Sequence, residues 1–598
     1  MYFSMNKHMM LLPFISPSFV ISRYKLCSLV MAFFIVLTCK ESVANPGAEN
    51  IADTIFYNGS IYTVDDKNPW VEAVAIKDDE IIYTGSLEQV KQFKGNKTIS
   101  RNLEGKMLLP GFIDSHAHPV MGGAYIRSLS LDSFSGPDKW VEQTESYIKD
   151  NPDKDIIFGY GFLASAFGPQ GPTKGMLDKL SSDKAIFIMD EGFHGAWANS
   201  KALALLAIDK DTVDPEPGFS YYKRDLEGNP TGYLLEGTAT DAIQKLGIIN
   251  IESVALGTGD VIAAMNQYGI TAVFDAGASD LEGLQLQVLK KLDSQREMSI
   301  RMVASHMITS SEQAKEAIAI VDKKRSISKH DMFHINTLKI MNDGTIEGKT
   351  ASMFEDYQGE PGNKGLNVFS QQQMNTLIAQ ASEKNIDVHI HALGERAISE
   401  TLNAIEAVRQ LEIKQPSTSR YTICHIQVMT DEDIERFARL NVIAQSTPLW
   451  ASFDEYGKGF VSEDQFQRYF RFNSLHKAGV NMSFGSDFPA SGAGVLGISP
   501  LFNMEIGMTR QEAGQKEAPI QPGKHERLEI ATLIKGYTLD GAYQLHMEDE
   551  IGSIEVGKKA DFVILDKNLF EVENYDVHKV KVLETILAGK TIYSASKH

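Results

Sequence analysis

The sequence predicts an α/β protein built around a (β/α)8 barrel of eight parallel strands, and three observations lead to this fold class. Apolar strand-like runs alternate with helical patterns through the middle of the 598-residue chain, as repeated βα units require. Nearly every apolar run ends at a polar side chain. Both ends of this region are rich in short β segments. The predicted strands end near His116, Asp275, His306, Lys339, His391, His425, Ser446 and Asp487.

The first residues, 1–44, are predicted to be a secretion signal rather than part of the fold. Arg23 and Lys25 precede an apolar stretch at 26–37 that is short for a membrane span. Small residues then lead to a cleavage position after Ala44. We therefore expect an exported protein, periplasmic or secreted. Lipid attachment at Cys39 and an uncleaved anchor are the alternatives.

Cysteine usage and charge restrict the partners of the mature chain. Of three cysteines, only Cys424 follows the predicted leader, so an intramolecular disulfide and a cysteine-rich zinc site are both excluded. We expect Cys424 to be a buried structural thiol. The net charge of -20 argues against nucleic acid and against stable membrane association after signal cleavage. A small-molecule substrate is the expected partner.

The two ends of the mature chain are predicted to form one small β-sandwich domain. Residues 45–106 supply its first part and 548–598 its second, on either side of a barrel domain at 107–547. In the first part, Asn58-Gly59 separates two strand-like runs and predicts a hairpin turn.

Helical patterns at 370–384, 397–408 and 431–439 separate several barrel strands. An insertion at about 125–260 follows the first strand and carries strand-like runs at 156–161 and 185–190. Because active sites of such barrels lie at the C-terminal ends of the strands, this insertion is expected to cover the barrel mouth as a lid.

His116 and His118 are the most informative residues of the chain. Side chains two positions apart leave a strand on the same face, so both imidazoles project from the end of the first strand. Two neutral ring nitrogens in that arrangement can hold a divalent metal. Other strand ends supply Lys339, His391, His425 and Asp487 to the same mouth. His389 shares a face with His391 but is expected to lie deeper in the barrel.

The chain resembles the amidohydrolase superfamily, and within it amidohydrolase family 3, the YtcJ-like proteins that include N-substituted formamide deformylase. The resemblance rests on an ordered set of motifs across residues 52–595. They are PGFIDSHAH at 110–118, HGAWANSKAL at 194–203, HALGERA at 391–397, HIQ at 425–427, GSDFP at 485–489 and GKKADFV at 557–563.

The resemblance implies a site for two divalent metal ions. Its ligands would be His116, His118, His391, His425 and Asp487, bridged by Lys339 carboxylated by carbon dioxide. Zinc is favoured, with iron, manganese or cobalt as alternatives. An uncarboxylated Lys339 that binds an anionic group would leave a mononuclear site instead. Homo-oligomerisation is expected by analogy alone.

Three further residues are candidates for substrate binding. His194 would polarise the scissile carbonyl or hold the leaving group, with Trp197 beside it; a capped helix start packed by Trp197 is the structural alternative. Arg396 would hold a substrate carboxylate or else pair with Glu400 one helical turn away. Apart from these, an apolar pocket wall is expected from four aromatic residues, with loop packing as the alternative: Phe162, Phe167, Trp450 and Phe453.

The function predicted from these residues is metal-dependent hydrolysis of a carbon–nitrogen bond in a non-peptide amide. Activated hydroxide would attack the carbonyl, and Asp487 would accept the proton and pass it to the leaving group. The alternatives are an ester or carbamate hydrolase on the same site, or an exported binding protein without catalysis.

Overall fold

A computed structural model describes residues 51–597, except Phe134, Ile249, 278–281, Lys329 and Asp331. The predicted leader, with its cleavage position and Cys39, lies outside the described residues. Within them, no helix combines the length and the apolar composition that crossing a membrane requires.

The centre of the molecule is the predicted barrel. Its strands are all parallel and follow one another in sequence order around the sheet. We number them barrel strands 1 to 8: Phe112–Ala117, Ile270–Asp275, Arg301–Ile308, Phe333–Met341, Asp387–Ala392, Tyr421–His425, Ile443–Ser446 and Met482–Phe484. Each carries or closely precedes one of the predicted polar ends, so the fold class predicted from the sequence is confirmed.

The barrel closes where the segment after strand 8 returns to strand 1. The backbone N–H of Asp487 donates to the carbonyl of His116 at 2.7 Å, and the N–H of Ser486 donates to Asp114 Oδ1 at 3.0 Å. Gly485 permits this approach, because a Cβ there would come within 2.4 Å of the His116 nitrogen. The seam therefore joins the two polar strand ends directly.

Helices surround the barrel and cover its apolar outer face. The three predicted helices form as Gln371–Glu383, Glu395–Glu412 and Asp431–Arg439, the first two with shifted ends, and Ser370 starts the first with a capping box. The others on this layer are Ile251–Gln267, Glu282–Ser294, Ala317–Ile327, Glu463–Gln467, Phe472–Lys477, Pro500–Thr509, Ile530–Gly536 and Leu539–Gln544.

The insertion after strand 1, which we call the lid, folds around a sheet of its own. The sheet runs in the order Tyr222–Arg224, Pro230–Leu235, Gly195–Ala198, Ala185–Asp190, Ile156–Phe162 and Leu129–Ser130. The helices Pro119–Tyr125, Pro137–Asp150, Lys174–Asp178, Ser200–Leu205 and Gly237–Lys245 accompany it. Both strand-like runs predicted in this region are strands.

Strands from both ends of the described chain share the third sheet. Its order is Lys590–Ser594, Val582–Leu587, Phe562–Leu565, Met107–Pro110, Thr54–Tyr62, Trp70–Lys77 and Glu80–Gly85, with Ile99–Asn102 also paired to Thr54–Tyr62. Met107–Pro110 pairs with Phe562–Leu565, so the N-terminal and C-terminal parts are joined by backbone hydrogen bonds.

The predicted hairpin at Asn58-Gly59 is wrong. Thr54–Tyr62 is one continuous strand, and its register with Trp70–Lys77 shifts between Tyr57 and Ile61. Asn58 has a φ of 58°, and a Cβ at Gly59 would come within 2.5 Å of the Lys106 carbonyl oxygen. The dipeptide therefore forms a bulge, which needs the same left-handed backbone as a turn.

Candidate active site

The barrel mouth brings together the polar ends of strands 1, 4, 5, 6 and 8. His116, Lys339, His391, His425 and Asp487 are all at most 4% exposed, and His118 is 8% exposed. His425 and Asp487 have φ angles of 74° and 52°, a backbone region that costs free energy for any residue but glycine and that clusters at functional sites.

The carboxylate of Asp487 stands between three imidazoles. Its Oδ1 lies 3.2 Å from His118 Nε2 and 3.4 Å from His116 Nε2, and its Oδ2 lies 3.6 Å from His425 Nδ1. Within the described part of the chain, Asp487 Oδ1 and His425 Nδ1 are buried without a hydrogen-bond partner. His116, His425 and Asp487 each offer an atom within 4.8 Å of the others, which suits a shared cation.

The far ring nitrogens of both strand 1 histidines are occupied. His118 Nδ1 lies 2.6 Å from the Gly277 carbonyl oxygen, to which it donates, and His116 Nδ1 lies 2.9 Å from His389 Nε2. These contacts leave Nε2 of each ring directed at Asp487. Metal-binding histidines are oriented in this way, because the outer hydrogen bond fixes the tautomer.

Lys339 lies beneath this group. Its Nζ is 3.3 Å from His116 Nε2 and 3.1 Å from Cys424 Sγ. Burial raises the pKa of Cys424 to about 12, so the thiol is neutral, as a structural role requires. A second set of possible ligand atoms, from His116, His389 and Cys424, lies at this level.

His391 occupies the opposite side of the mouth. Its Nε2 lies 3.4 Å from the Gly344 carbonyl oxygen and 3.7 Å from Asp343 Oδ1. Its ring centroid is 4.5 Å from that of His425, so His425 joins the two sides. Burial lowers the pKa of His116, His391 and His425 well below the ordinary histidine value. Neutral imidazoles are the form that binds metal ions.

Two buried carboxyl groups support the strand ends. Asp114 accepts hydrogen bonds from Ser486 Oγ at 2.6 Å and from the Ser486 and His116 N–H groups, and burial raises its pKa to about 7. Asp343 accepts from the N–H groups of Ser352, Leu393 and Gly394. It thereby anchors the loop that follows His391.

The lid contributes His194 to the mouth. Its Nδ1 lies 2.7 Å from Glu236 Oε2, and its ring centroid is 5.2 Å from that of His391. Burial alone would lower the pKa of His194, but the carboxylates of Glu236 and Asp190 outweigh burial and raise it to about 9. These two carboxylates therefore favour the imidazolium form of His194.

A cavity of about 730 Å³ connects the barrel mouth with the lid. His118, Lys339, His391, His425 and Asp487 line it from the barrel, and His194 and Glu236 line it from the lid. Trp450 and Phe453 form an aromatic part of its wall. The Trp450 ring centroid lies 5.5 Å from that of His425.

Trp197 and Arg396 do not lie where the sequence placed them. Trp197 is buried in the core of the lid, where its Nε1 donates to the Thr173 carbonyl at 2.8 Å, because it points inward from a central lid strand. Arg396 donates to Ser352 Oγ at 2.7 Å and to the Gly365 carbonyl at 3.0 Å. Neither residue is among those lining the cavity.

Several acidic residues of the cavity wall were missed in the sequence. Glu236 ends the apolar run of Pro230–Leu235, which is the same pattern that identified the barrel strand ends and could have revealed it. Glu191 likewise comes directly after an apolar strand, Ala185–Asp190, whereas Glu347 and Asp454 lie on loops and carry no such pattern. Burial raises the pKa of Glu347 to about 7.

The fold and site define a class of barrel hydrolases in which polar strand ends meet beneath a lid. The sequence profile of the amidohydrolase family matches residues 101–593, and the chain belongs to that family. It is thus a hydrolase acting on carbon–nitrogen bonds other than peptide bonds, and the resemblance proposed from the motifs is confirmed.

Individual relatives agree with this assignment. The exoenzymes regulatory protein AepA of Pectobacterium carotovorum is 30% identical over 72% of this chain and 92% of its own length. The N-substituted formamide deformylase of Arthrobacter pascens is 26% identical over 90% and 98%. An uncharacterised metal-dependent hydrolase from Pyrococcus horikoshii superposes with a TM-score of 0.66 at 24% identity, covering 87% of this chain and 99% of that one, which shows the shared fold.

Proposed function

We propose that this protein is a metal-dependent hydrolase that cleaves the amide bond of an N-acyl amine. The observation that carries the proposal is the convergence of His116, His425 and Asp487 on one point, with buried ligand atoms that have no partner within the described residues. The uncompensated burial of such atoms is costly, and a bound divalent cation would satisfy them.

Two metal positions are proposed. His116, His118 and Asp487 would hold one ion, and His391 and His425 the other, with Lys339 between them as a carboxylated bridge. When bound, the ions would polarise the substrate carbonyl and lower the pKa of water. Zinc is the first candidate, because imidazole and carboxylate ligands suit it.

Asp487 is the proposed proton carrier. Its carboxylate faces the imidazole cluster and also lines the cavity, so it can reach both the attacking water and the departing nitrogen. It would take the proton from the water and deliver it to the amine. His194 faces the same cavity from the lid, where its N–H can donate to the carbonyl oxygen as negative charge develops there.

The substrate class follows from the cavity and from one relative. Trp450 and Phe453 offer an apolar surface beside His425, which favours an aromatic or alkyl substituent on nitrogen. The relative from Arthrobacter pascens is described as an N-substituted formamide deformylase. N-formyl amines with apolar substituents are therefore the first compounds to test.

The test combines metal analysis with a hydrolysis screen. Wild type and Lys339→Ala are loaded with zinc in the presence of bicarbonate, and metal content is measured by plasma mass spectrometry, with the exposed Lys315→Ala as control. We expect about two ions per chain in wild type and in the control, fewer in Lys339→Ala, and release of amine from N-formyl or N-acyl amines by wild type. One ion per chain, unchanged in Lys339→Ala, would remove the carboxylated bridge. Absence of metal or of amine release would overturn the proposed function.

We also propose that the protein is exported, on the basis of the leader predicted at residues 1–44. Expression of the full chain with a C-terminal tag, followed by cell fractionation and N-terminal sequencing, tests this proposal. A mature protein beginning at Asn45 outside the cytoplasm is expected. An intact leader on a cytoplasmic protein would contradict it.

A further inference from the structure

The lid contains a histidine–carboxylate pair, His194 and Glu236. The mechanism proposed above uses only the histidine. His194 immediately precedes the lid strand Gly195–Ala198, and Glu236 immediately follows Pro230–Leu235. Because these strands are antiparallel neighbours that pair Gly195 with Leu235, the two side chains meet at one end of the sheet. His194 Nδ1 and Glu236 Oε2 are 2.7 Å apart.

Both carboxylate oxygens and the backbone N–H of Glu236 take part in hydrogen bonds. Thr350 Oγ1, from the loop after barrel strand 4, donates to Glu236 Oε1 at 2.9 Å. The backbone N–H of Glu236 donates to the His194 carbonyl at 2.6 Å. Both carboxylate oxygens are thus occupied, one by the lid and one by the barrel, and the carboxylate has a single orientation.

The surrounding backbone is shaped to accept this carboxylate. A Cβ on Gly344 would come within 2.6 Å of Glu236 Oε1 and 2.0 Å of Thr350 Oγ1, so only glycine leaves room for their hydrogen bond. Glu236 itself has a φ of 53°, a conformation that disfavours a residue with a side chain. Such strain persists where the side chain serves a purpose that outweighs it.

The pair determines which ring nitrogen of His194 faces the substrate. With Nδ1 donating to Glu236, only Nε2 remains for the cavity that His194 lines. Because Glu236 is itself held by Thr350, the ring cannot turn without breaking the Nδ1 hydrogen bond.

We propose that Glu236 is the positioning residue of His194: it accepts the Nδ1 hydrogen bond, fixes the ring and so directs Nε2 at the substrate carbonyl oxygen. The part played by the substrate rests on the proposed function. The hydrogen bond that fixes the ring does not, and it can be tested separately.

The first experiment needs no substrate. Zinc-loaded full-length protein labelled with 15N-histidine is studied by NMR at neutral pH, and the His194 signals are identified by their loss in His194→Gln. We expect a hydrogen-bonded, downfield proton on His194 Nδ1 in wild type and in Glu227→Gln, a control at an exposed lid position. In Glu236→Gln this proton should move upfield, because a carboxamide oxygen is a weaker acceptor than a carboxylate. An Nδ1 without a proton in wild type, or an unchanged Nδ1 proton signal in Glu236→Gln, would overturn the proposal.

The second experiment measures hydrolysis of an N-formyl amine found in the screen. Glu236→Gln is expected to lower kcat on the order of 100-fold with little change in KM, as loss of one donor to a developing oxyanion does. Adding Glu236→Gln to His194→Gln should cause no further loss, since both substitutions remove the same donor. If instead the two substitutions lower kcat independently, so that the factors multiply in the double variant, Glu236 stabilises the lid without acting through His194. If wild type hydrolyses no N-acyl amine, the proposed function fails, and the NMR result alone decides the assignment of Glu236.

Discussion

His116 and His389 lie with Nδ1 and Nε2 2.9 Å apart in the buried floor of the site. The contact explains why two histidines occupy alternate positions of barrel strand 5. His391 faces the mouth, and His389 contacts His116 on barrel strand 1. The ring of His389 also stacks on Phe274, with centroids 4.7 Å apart, so its own orientation is fixed.

Replacing His389 by alanine should weaken metal binding, because His116 would lose the contact that fixes its tautomer. Outer partners of this kind contribute roughly 10- to 100-fold to metal affinity. Competition with a chromophoric chelator measures the change, with the exposed His476→Gln as control. Unaltered affinity in a folded His389→Ala protein would show that His116 is oriented by the backbone alone.

The barrel seam should not tolerate a side chain at Gly485. A Cβ there would meet the nitrogen of His116 at 2.4 Å and Asp114 Oδ1 at 2.7 Å, so Gly485→Ala should destabilise the fold by about 1–3 kcal/mol. Thermal denaturation of the metal-free protein measures this effect. Gly259→Ala, in the helix Ile251–Gln267 with no atom within 4 Å of the new Cβ, should be neutral or slightly stabilising. Equal melting temperatures for the two variants would contradict the close approach at the seam.

Acid should destabilise the protein partly through His306 on barrel strand 3. Burial and the neighbouring Lys324 ammonium lower the pKa of His306 to about 3, whereas the unfolded chain titrates near 6.5. Between these values the unfolded state binds the additional proton, so stability falls as pH falls, by about 1.4 kcal/mol per pH unit at most.

His306→Gln removes this titration and should flatten the fall in melting temperature between pH 6.5 and 4. The measurement uses chelator-treated protein, so that release of metal in acid does not contribute. His525→Gln, at an exposed position, should follow wild type. A parallel loss of stability in wild type and His306→Gln would assign the acid sensitivity to other groups.

Arg396 should support structure rather than bind a substrate carboxylate. Its guanidinium ties Ser352 Oγ to the Gly365 carbonyl, so Arg396→Ala should lower the melting temperature relative to the exposed Arg296→Ala. The ratio of kcat/KM values for matched N-acyl amines with and without a carboxylate should stay as in wild type. A selective loss on the carboxylate-bearing compound would restore the role predicted from the sequence.

The barrel could be predicted from the sequence because its signals are local. Each strand is an apolar run closed by a polar residue, so His116, Lys339, His391, His425 and Asp487 could be placed at one mouth without knowledge of any contact. The same reasoning failed at Asn58-Gly59, because the bulge found there and a hairpin turn both place Asn58 at a positive φ, so the dipeptide alone does not distinguish them.

The lid could not be predicted to the same depth. Trp197 lies within one lid strand and Glu236 directly follows another, and the sequence does not reveal which of them faces the cavity. That depends on the pairing of Gly195 with Leu235 and on Thr350 from a distant barrel loop. Glu236 can be assigned to the cavity only from contacts between distant segments. Each metal-ligand candidate, by contrast, could be identified from the sequence of its own strand.

The pairing of Met107–Pro110 with Phe562–Leu565 bears on how the chain is made. During synthesis, Met107–Pro110 emerges early, with the first barrel strand directly after it, while the strand that covers its edge is among the last to leave the ribosome. Until then an apolar strand edge remains open to other chains. Nascent chains stalled before Phe562 should therefore be the ones that recruit chaperones or aggregate.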